Sequence, residues 1–269
     1  MKPLPIKKIV FKSFSHPIKD FDNFINIIIV PYIIILPFHL YVIYYDDFVL
    51  RMFETEGFYQ YWRGSLRSQI IQYLLIFPIS SCLLANWHRY VFFEGKKPWT
   101  YKPLDFSNYT FKFIWKSILV FLVFVVPATI VGFAVGYAIG FLGLANSISG
   151  FIPAITLLYL VLLAIYFVRV SIILPATAVE QDNTFKKAFQ ITKNNFWRMF
   201  LIYAAWILIL ILYLIIFFVF EIYFPSEDHL TRLMLQGVIG SIFMIYSYTY
   251  LASCASLIYK HLIQNKLSL

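Results

Sequence analysis

Six long apolar stretches constrain this chain more than any other feature. They run approximately over Phe24–Tyr45, Ser68–Trp87, Phe113–Phe141, Phe151–Ser171, Met199–Phe220 and Met234–Tyr259. Crossing roughly 30 Å of hydrocarbon takes about 20 helical residues. Lipid offers no partner to a free backbone amide, so a spanning segment must be a helix or part of a closed barrel. Barrel strands alternate, and these stretches do not. The expectation is an all-α polytopic membrane protein with about six transmembrane helices. Composition agrees: the chain is 61% hydrophobic and 13% charged, where a soluble domain carries about 25% charged residues.

Orientation follows from the cations, which collect on the cytoplasmic side. Four segments carry them: Lys2 to Lys19, Arg89 to Lys116, Arg169 to Arg198, and Lys260 with Lys266. Of the 22 lysines and arginines, only Arg51, Arg63, Arg67 and Arg232 fall on the other side. Both termini are therefore expected in the cytoplasm. The layout is one integral-membrane domain over 1–269, with a cytoplasmic N-terminal segment 1–23, an interfacial outer loop 46–67, and cytoplasmic loops 88–112 and 172–198. The first apolar stretch is too long for a cleaved signal peptide, and no small-residue cleavage site follows it. In a soluble protein the net charge of +9 would point to nucleic acid. Here it serves topology, and no nucleic-acid partner is expected.

Enzyme classes find little support. There is no HExxH, P-loop, GxSxG or CxxC pattern, and no metal-ligand spacing. Cys82 and Cys254 lie in apolar runs and read as small hydrophobes. No Asp, Glu or Lys sits mid-span, where ion-coupled carriers place the groups that mark their pathways. His39 falls near the outer end of the first stretch, beside Tyr41, Tyr44 and Tyr45. No cofactor is expected.

Two features within the spans point to packing. Gly132, Gly136 and Gly140 recur every four residues, a bare stripe that lets backbones approach in lipid. The contact is either within the chain or between copies. Gly237, Gly240, Ala252 and Ser256 form a weaker version. Pro31, Pro37, Pro78, Pro127 and Pro153 each remove a helical hydrogen bond. Such breaks either line a solute site or reflect the ordinary frequency of proline in membrane helices.

The cytoplasmic segment "LPATAVEQDNTFKKAFQITKNNFWRMF" is rich in charge. Pro175 is expected to end the fourth span at the membrane surface. Asn183 or Thr184 suits a helix N-cap. Phe185, Ala188, Phe189, Thr192 and Phe196 then share one helical face. Lys186, Lys187, Gln190 and Lys193 share the other. This is the pattern of a basic helix lying in the membrane interface, and Trp197–Arg198 marks re-entry. Arg89 and Arg169 are expected to snorkel to headgroups. The 88–112 loop has a similar mixture, with Lys96–Lys97 matching Lys186–Lys187, a weak sign of internal duplication. Candidate contacts for anionic lipid or a membrane-protein partner are Lys186, Lys187, Lys193, Arg198, Arg89, Lys96 and Lys97.

"WHRYVFFEGKKP" and "RVSIILPATAVEQDNTFKKAFQITKNNFWRMF" together resemble an uncharacterised family of bacterial integral-membrane proteins of the alphaproteobacterial type. That family is similar to the membrane domain found beside some glycerophosphoryl diester phosphodiesterases. The resemblance rests on Arg169, Leu174–Ala176, Phe185–Phe189, Thr192, Asn195 and Trp197–Arg198. It implies a bacterial inner-membrane location. It implies no phosphodiesterase activity, because the chain holds no such catalytic domain. The expected role is non-enzymatic: organising lipids or partner proteins through basic interfacial helices. The alternatives are a transporter of a small apolar or amphipathic solute, and a subunit or assembly factor of a larger complex.

Overall fold

The computed structural model describes residues 3–30, 32–34, 36–38, 40–41, 70, 74, 76–95, 104–141, 152–181, 184–223 and 229–267. The outer loop 46–67, His39, and Lys96 with Lys97 lie outside the described residues, as do parts of the first two expected spans.

Every regular element among the described residues is helical. The elements are α1 (Ile6–Lys19), α2 (Phe21–Phe24) with a π-helical turn at Ile25–Ile29, and α3 (Phe77–Phe93). Then come α4 (Asn108–Phe141), α5 (Ile152–Val170), α6 (Ile173–Ala178) and α7 (Phe185–Thr192). The last three are α8 (Phe196–Ala204), α9 (Trp206–Tyr223) and α10 (His229–Leu267). Four segments are long and apolar enough to cross a membrane: Asn108–Ala134, Val161–Ala178, Phe196–Val219 and Gly237–Gln264. They correspond to the third to sixth expected spans. A shorter apolar helix covers Phe21–Ile34.

The core is concentrated at one end. Leu4, Trp87, Phe113, Ile172, Ile173, Met199, Ile202, Tyr250, Ile258 and Leu262 are the large side chains shut in there. Elsewhere α9 still packs on α10, with the Tyr213 and Phe243 rings stacked at 4.2 Å, but long faces of α4 and α9 are uncovered. Phe121, Leu122, Val126, Ile130 and Phe133 of α4 are exposed, as are Ile207, Leu208, Ile211 and Leu212 of α9. A water-soluble protein does not leave rows of large apolar side chains uncovered; hydrocarbon is the solvent that suits them.

The packed end gathers the segments that carry most of the cations. α1 lies on α8 and α10, and α3 lies on α10, α4 and α6. Glu94, just after α3, accepts from Lys12 of α1 at 3.2 Å and from Lys260 of α10 at 3.0 Å. Leu4 N–H donates to Asn195 Oδ1 at 3.2 Å, and Arg198 donates to Leu4 O at 3.0 Å. Both described ends of the chain thus meet at this end of the molecule. Glu94 and Gly95 have left-handed φ values of 53° and 70°. They turn the chain so that Gly95 N–H bonds Tyr90 O at 3.2 Å, closing α3 as a glycine C-cap does.

Two boundaries and one packing contact differ from expectation. Residues 88–93 do not open a loop; they continue α3. Pro175 does not end the fourth span. The chain turns briefly at Ser171–Ile172 and resumes as α6, with Pro175 buried. Pro175 is the third residue of α6, where its missing N–H is one that has no intrahelical partner anyway. The glycine stripe also differs. A Cβ at Gly132 would meet nothing within 4 Å, so no close helix contact exists there within the described chain. Gly136 and Gly140 lie outside the residues whose surroundings are described. On α10 the weaker set does pack: Gly237, Ala252 and Ser256 are buried. A Cβ at Gly240 would sit 3.8 Å from the Tyr213 hydroxyl of α9.

Candidate functional site

The cationic candidates divide into two groups. Lys186, Lys187 and Lys193 are exposed, while Ala188, Ile191 and Thr192 on the same segment are buried. The Thr184 side chain caps α7 by accepting from Lys187 N–H at 3.2 Å, which settles the cap between the two expected residues. Trp197 is 71% exposed next to the exposed Arg198. Arg89 behaves otherwise. It is only 9% exposed. Its guanidinium donates to Ala178 O at 2.9 Å and to Glu180 at 3.0 Å. It also lies 4.2 Å from the Tyr109 ring centroid. Arg169 too turns inward, 5.4 Å from the rings of both Phe189 and Phe196. Arg89 thus spends its guanidinium on protein partners, and Arg169 is half-buried against aromatic faces. Aromatic faces and a helix-end carbonyl hold a guanidinium well.

Helix α1 joins the cationic rim, although charge counting treats its lysines only as topology signals. Ile9, Ser13, His16 and Pro17 face the core. Lys7, Lys8 and Lys19 are exposed, interleaved with Phe11 and Ile18, and exposed Phe21 follows. The residues that face inward recur at i, i+4 and i+7, a helical spacing visible in the sequence. Exposed large apolar side chains are unfavourable in water, and their interleaving with cations is natural at a lipid interface.

Two ionisable groups in this rim are shifted. Lys260 and then Lys12, both hydrogen-bonded to Glu94, hold its carboxyl down at about 2. Burial lowers His16, and the neighbouring Lys12 charge adds to that; Asp20, 3.3 Å away, opposes it. A histidine depressed below 6.5 binds its proton more readily when released, so docking of α1 weakens as pH falls below that value. The Glu94 contribution has the opposite pattern. It is full above about 4.5 and is lost only as pH falls toward 2. Of these two groups, only the histidine changes its contribution between about pH 7.5 and 5.5. Hydrogen exchange of α1 amides, corrected for the intrinsic rate, should speed several-fold over that interval. His16→Gln should flatten the response.

Inside the packed end, α3 is the hub. Its consecutive residues Asn86, Trp87, His88 and Arg89 point round the helix at about 100° each, and each reaches another element. Asn86 Oδ1 accepts from the Tyr109 hydroxyl at 2.7 Å. Trp87 Nε1 donates to Ser253 at 2.9 Å and to Thr249 O at 3.1 Å. His88 Nδ1 lies 2.7 Å from Ser256 Oγ. That last pair has the separation of a nucleophile and its base. Both residues are buried, and neither lines a described cavity. A substrate has no described path to them, so the pair ties α3 to α10. Among the described residues no cluster of His, Cys, Asp or Glu is placed to hold a metal. Cys82 and Cys254 are free thiols, both buried.

A cavity of 520 Å³ lies just beyond this hub, between α3, α4, the α5–α6 junction and α10. No protein-family model, curated protein or solved structure matches the chain. The family resemblance of its two motifs stands on their residues alone.

Proposed function

We propose that the protein is a non-enzymatic, six-span protein of a bacterial inner membrane, with both termini in the cytoplasm, that organises anionic lipids or a membrane-protein partner around its packed end. One observation supports this most directly. Segments that carry most of the cations converge at one end, and their exposed lysines stand among exposed aromatic and aliphatic side chains. Lys186, Lys187, Lys193 and Arg198 on α7–α8, with Lys7, Lys8 and Lys19 on α1, form the contact set. Arg89 is not part of it. Each basic residue near an anionic surface contributes about 1 kcal/mol, and salt screens part of that.

The test uses full-length protein in nanodiscs of mixed anionic and zwitterionic phospholipid. Native mass spectrometry then reads the lipid retained. Replacing Lys186, Lys187 and Lys193 by Gln should lower the anionic excess roughly tenfold, half of the unscreened sum. An unchanged ratio would remove the lipid version and leave the partner version, which a stoichiometric companion in a mild-detergent pull-down would support. A second reading, a carrier of an apolar or amphipathic solute, draws on the 520 Å³ cavity. It is favoured only if that cavity opens alternately to the two sides.

A further inference from the structure

We infer that the cavity between α3, α4 and α10 is a binding site for one ester-linked acyl chain of a membrane lipid, entered sideways from the bilayer. Its 520 Å³ falls in the usual range of ligand pockets, about 300–1,000 Å³. Phe77, Leu84, Phe113, Val120 and Phe121 supply apolar wall. Ser80, Ser81 and Ser117 add hydroxyls, and Tyr248 a phenol. A largely apolar pocket with a few placed polar groups is the form that ligand sites take.

The occupant follows from three observations. First, α4 packs on α3 and α6 and not closely on α10, while Phe121, which lines the cavity, is exposed. The gap therefore opens onto the surface that these helices present to hydrocarbon, where acyl chains are the abundant solute. Second, among the described residues no Lys, Arg, His, Asp or Glu lines the cavity. A free fatty acid would bring an uncompensated carboxylate, which is costly away from water. A neutral oxygen is not. Third, the cavity offers hydroxyl donors that suit a neutral oxygen. Tyr248 donates to the Met244 sulphur at 4.0 Å, a weak bond to a weak acceptor. A smaller pocket of 30 Å³ shares Ser80, Leu84, Met244 and Tyr248 with the main cavity and adds Thr249. It has room for about one or two waters. An ester carbonyl near Tyr248 and Ser80 would meet donors there while its chain lies against Val120 and Phe121.

Photocrosslinking distinguishes the possibilities. The full-length protein is placed in nanodiscs doped with phosphatidylcholine bearing a diazirine on one acyl chain, and labelled peptides are mapped. Labelling should concentrate on 77–84 and 113–121 over the outward face of α9. Ser117→Phe, which fills the cavity, should cut cavity labelling roughly tenfold and leave α9 labelling as it was. Tyr248→Phe keeps the shape and should cut it about threefold through the lost hydrogen bond. It guards against a Ser117→Phe protein that fails to fold. Replacing Lys186, Lys187 and Lys193 by Gln should change none of this, so the outcome is separate from that of the headgroup reading. Labelling spread evenly over α4 and α9, or unaltered in both cavity variants, overturns the site. A diazirine fatty acid that labels the cavity as strongly as the phospholipid overturns the ester assignment.

Discussion

Trp87→Ala is expected to destabilise the packed end by about 4 kcal/mol, the range typical of large-to-small changes at a buried aromatic. The indole is fully buried. It stacks on Tyr90 with ring centroids 5.3 Å apart, and it meets the Phe24 ring edge-on at 5.7 Å. Its N–H is shared between Ser253 and Thr249 O. One side chain therefore joins α2, α3 and α10. Truncation opens a space that three helices would have to close together, and their backbones are held by other ties. Trp87→Phe keeps most of the ring and loses the donor, so about 1–2 kcal/mol is expected. The size of the alanine effect also reports the surroundings. Facing water, the site loses both a transfer term and a packing term. Facing lipid, it loses mainly packing, because hydrocarbon outside is as apolar as the interior. Denaturant or thermal titration in mild detergent would measure both variants. A cost below about 1 kcal/mol for Trp87→Ala would contradict the hub role.

Much of the helical layout was legible because apolar length is a local property. The third to sixth stretches reappear as the four candidate spans, and Thr184 caps α7 through a contact three residues away. What escaped was non-local. Trp87 and Ser253 are 166 residues apart, and no periodicity joins them. Charge position alone places Arg89 at a headgroup, since an arginine at the end of an apolar run usually reaches out. The contrary signal was its context: Asn86, Trp87 and His88 precede it, and Val91, Phe92 and Phe93 follow. A loop at the membrane surface has no need of three more apolar residues. Pro175 misled for a related reason. Proline stops a helix in its interior and suits one in its first turn, and only the brief turn at Ser171–Ile172 decides which applies. The glycines show the limit of a stripe as evidence. Spacing shows that a close contact is possible, but Gly132 has no neighbour in the described chain and Gly240 has one.

Arg89→Ala is expected to cost about 3 kcal/mol, and the pattern across substitutions carries more than the number. The pair with Glu180 contributes little, because Glu180 is largely exposed and water replaces its partner. The weight falls on the bond to Ala178 O and on the stack over Tyr109. A charged donor to a buried carbonyl contributes roughly 1.5–3 kcal/mol, and a desolvated cation–π contact up to about 2. Desolvation of the guanidinium offsets part of that sum. Lysine has neither the planar face nor the fork, so Arg89→Lys should be nearly as damaging as Arg89→Ala. Arg89→Met, which fills the space without a charge, should be milder than either. A headgroup contact predicts the reverse order, with lysine tolerated and methionine not. The consequence for the lipid-facing rim is also distinct. Arg89 holds the end of α6, and the chain from there leads into α7 and its lysines. Arg89→Ala should therefore speed hydrogen exchange over 176–181 and loosen α7, lowering anionic-lipid retention through a residue that touches no lipid. Retention that falls in Arg89→Ala and is restored in full by Arg89→Lys would return this arginine to the headgroup role.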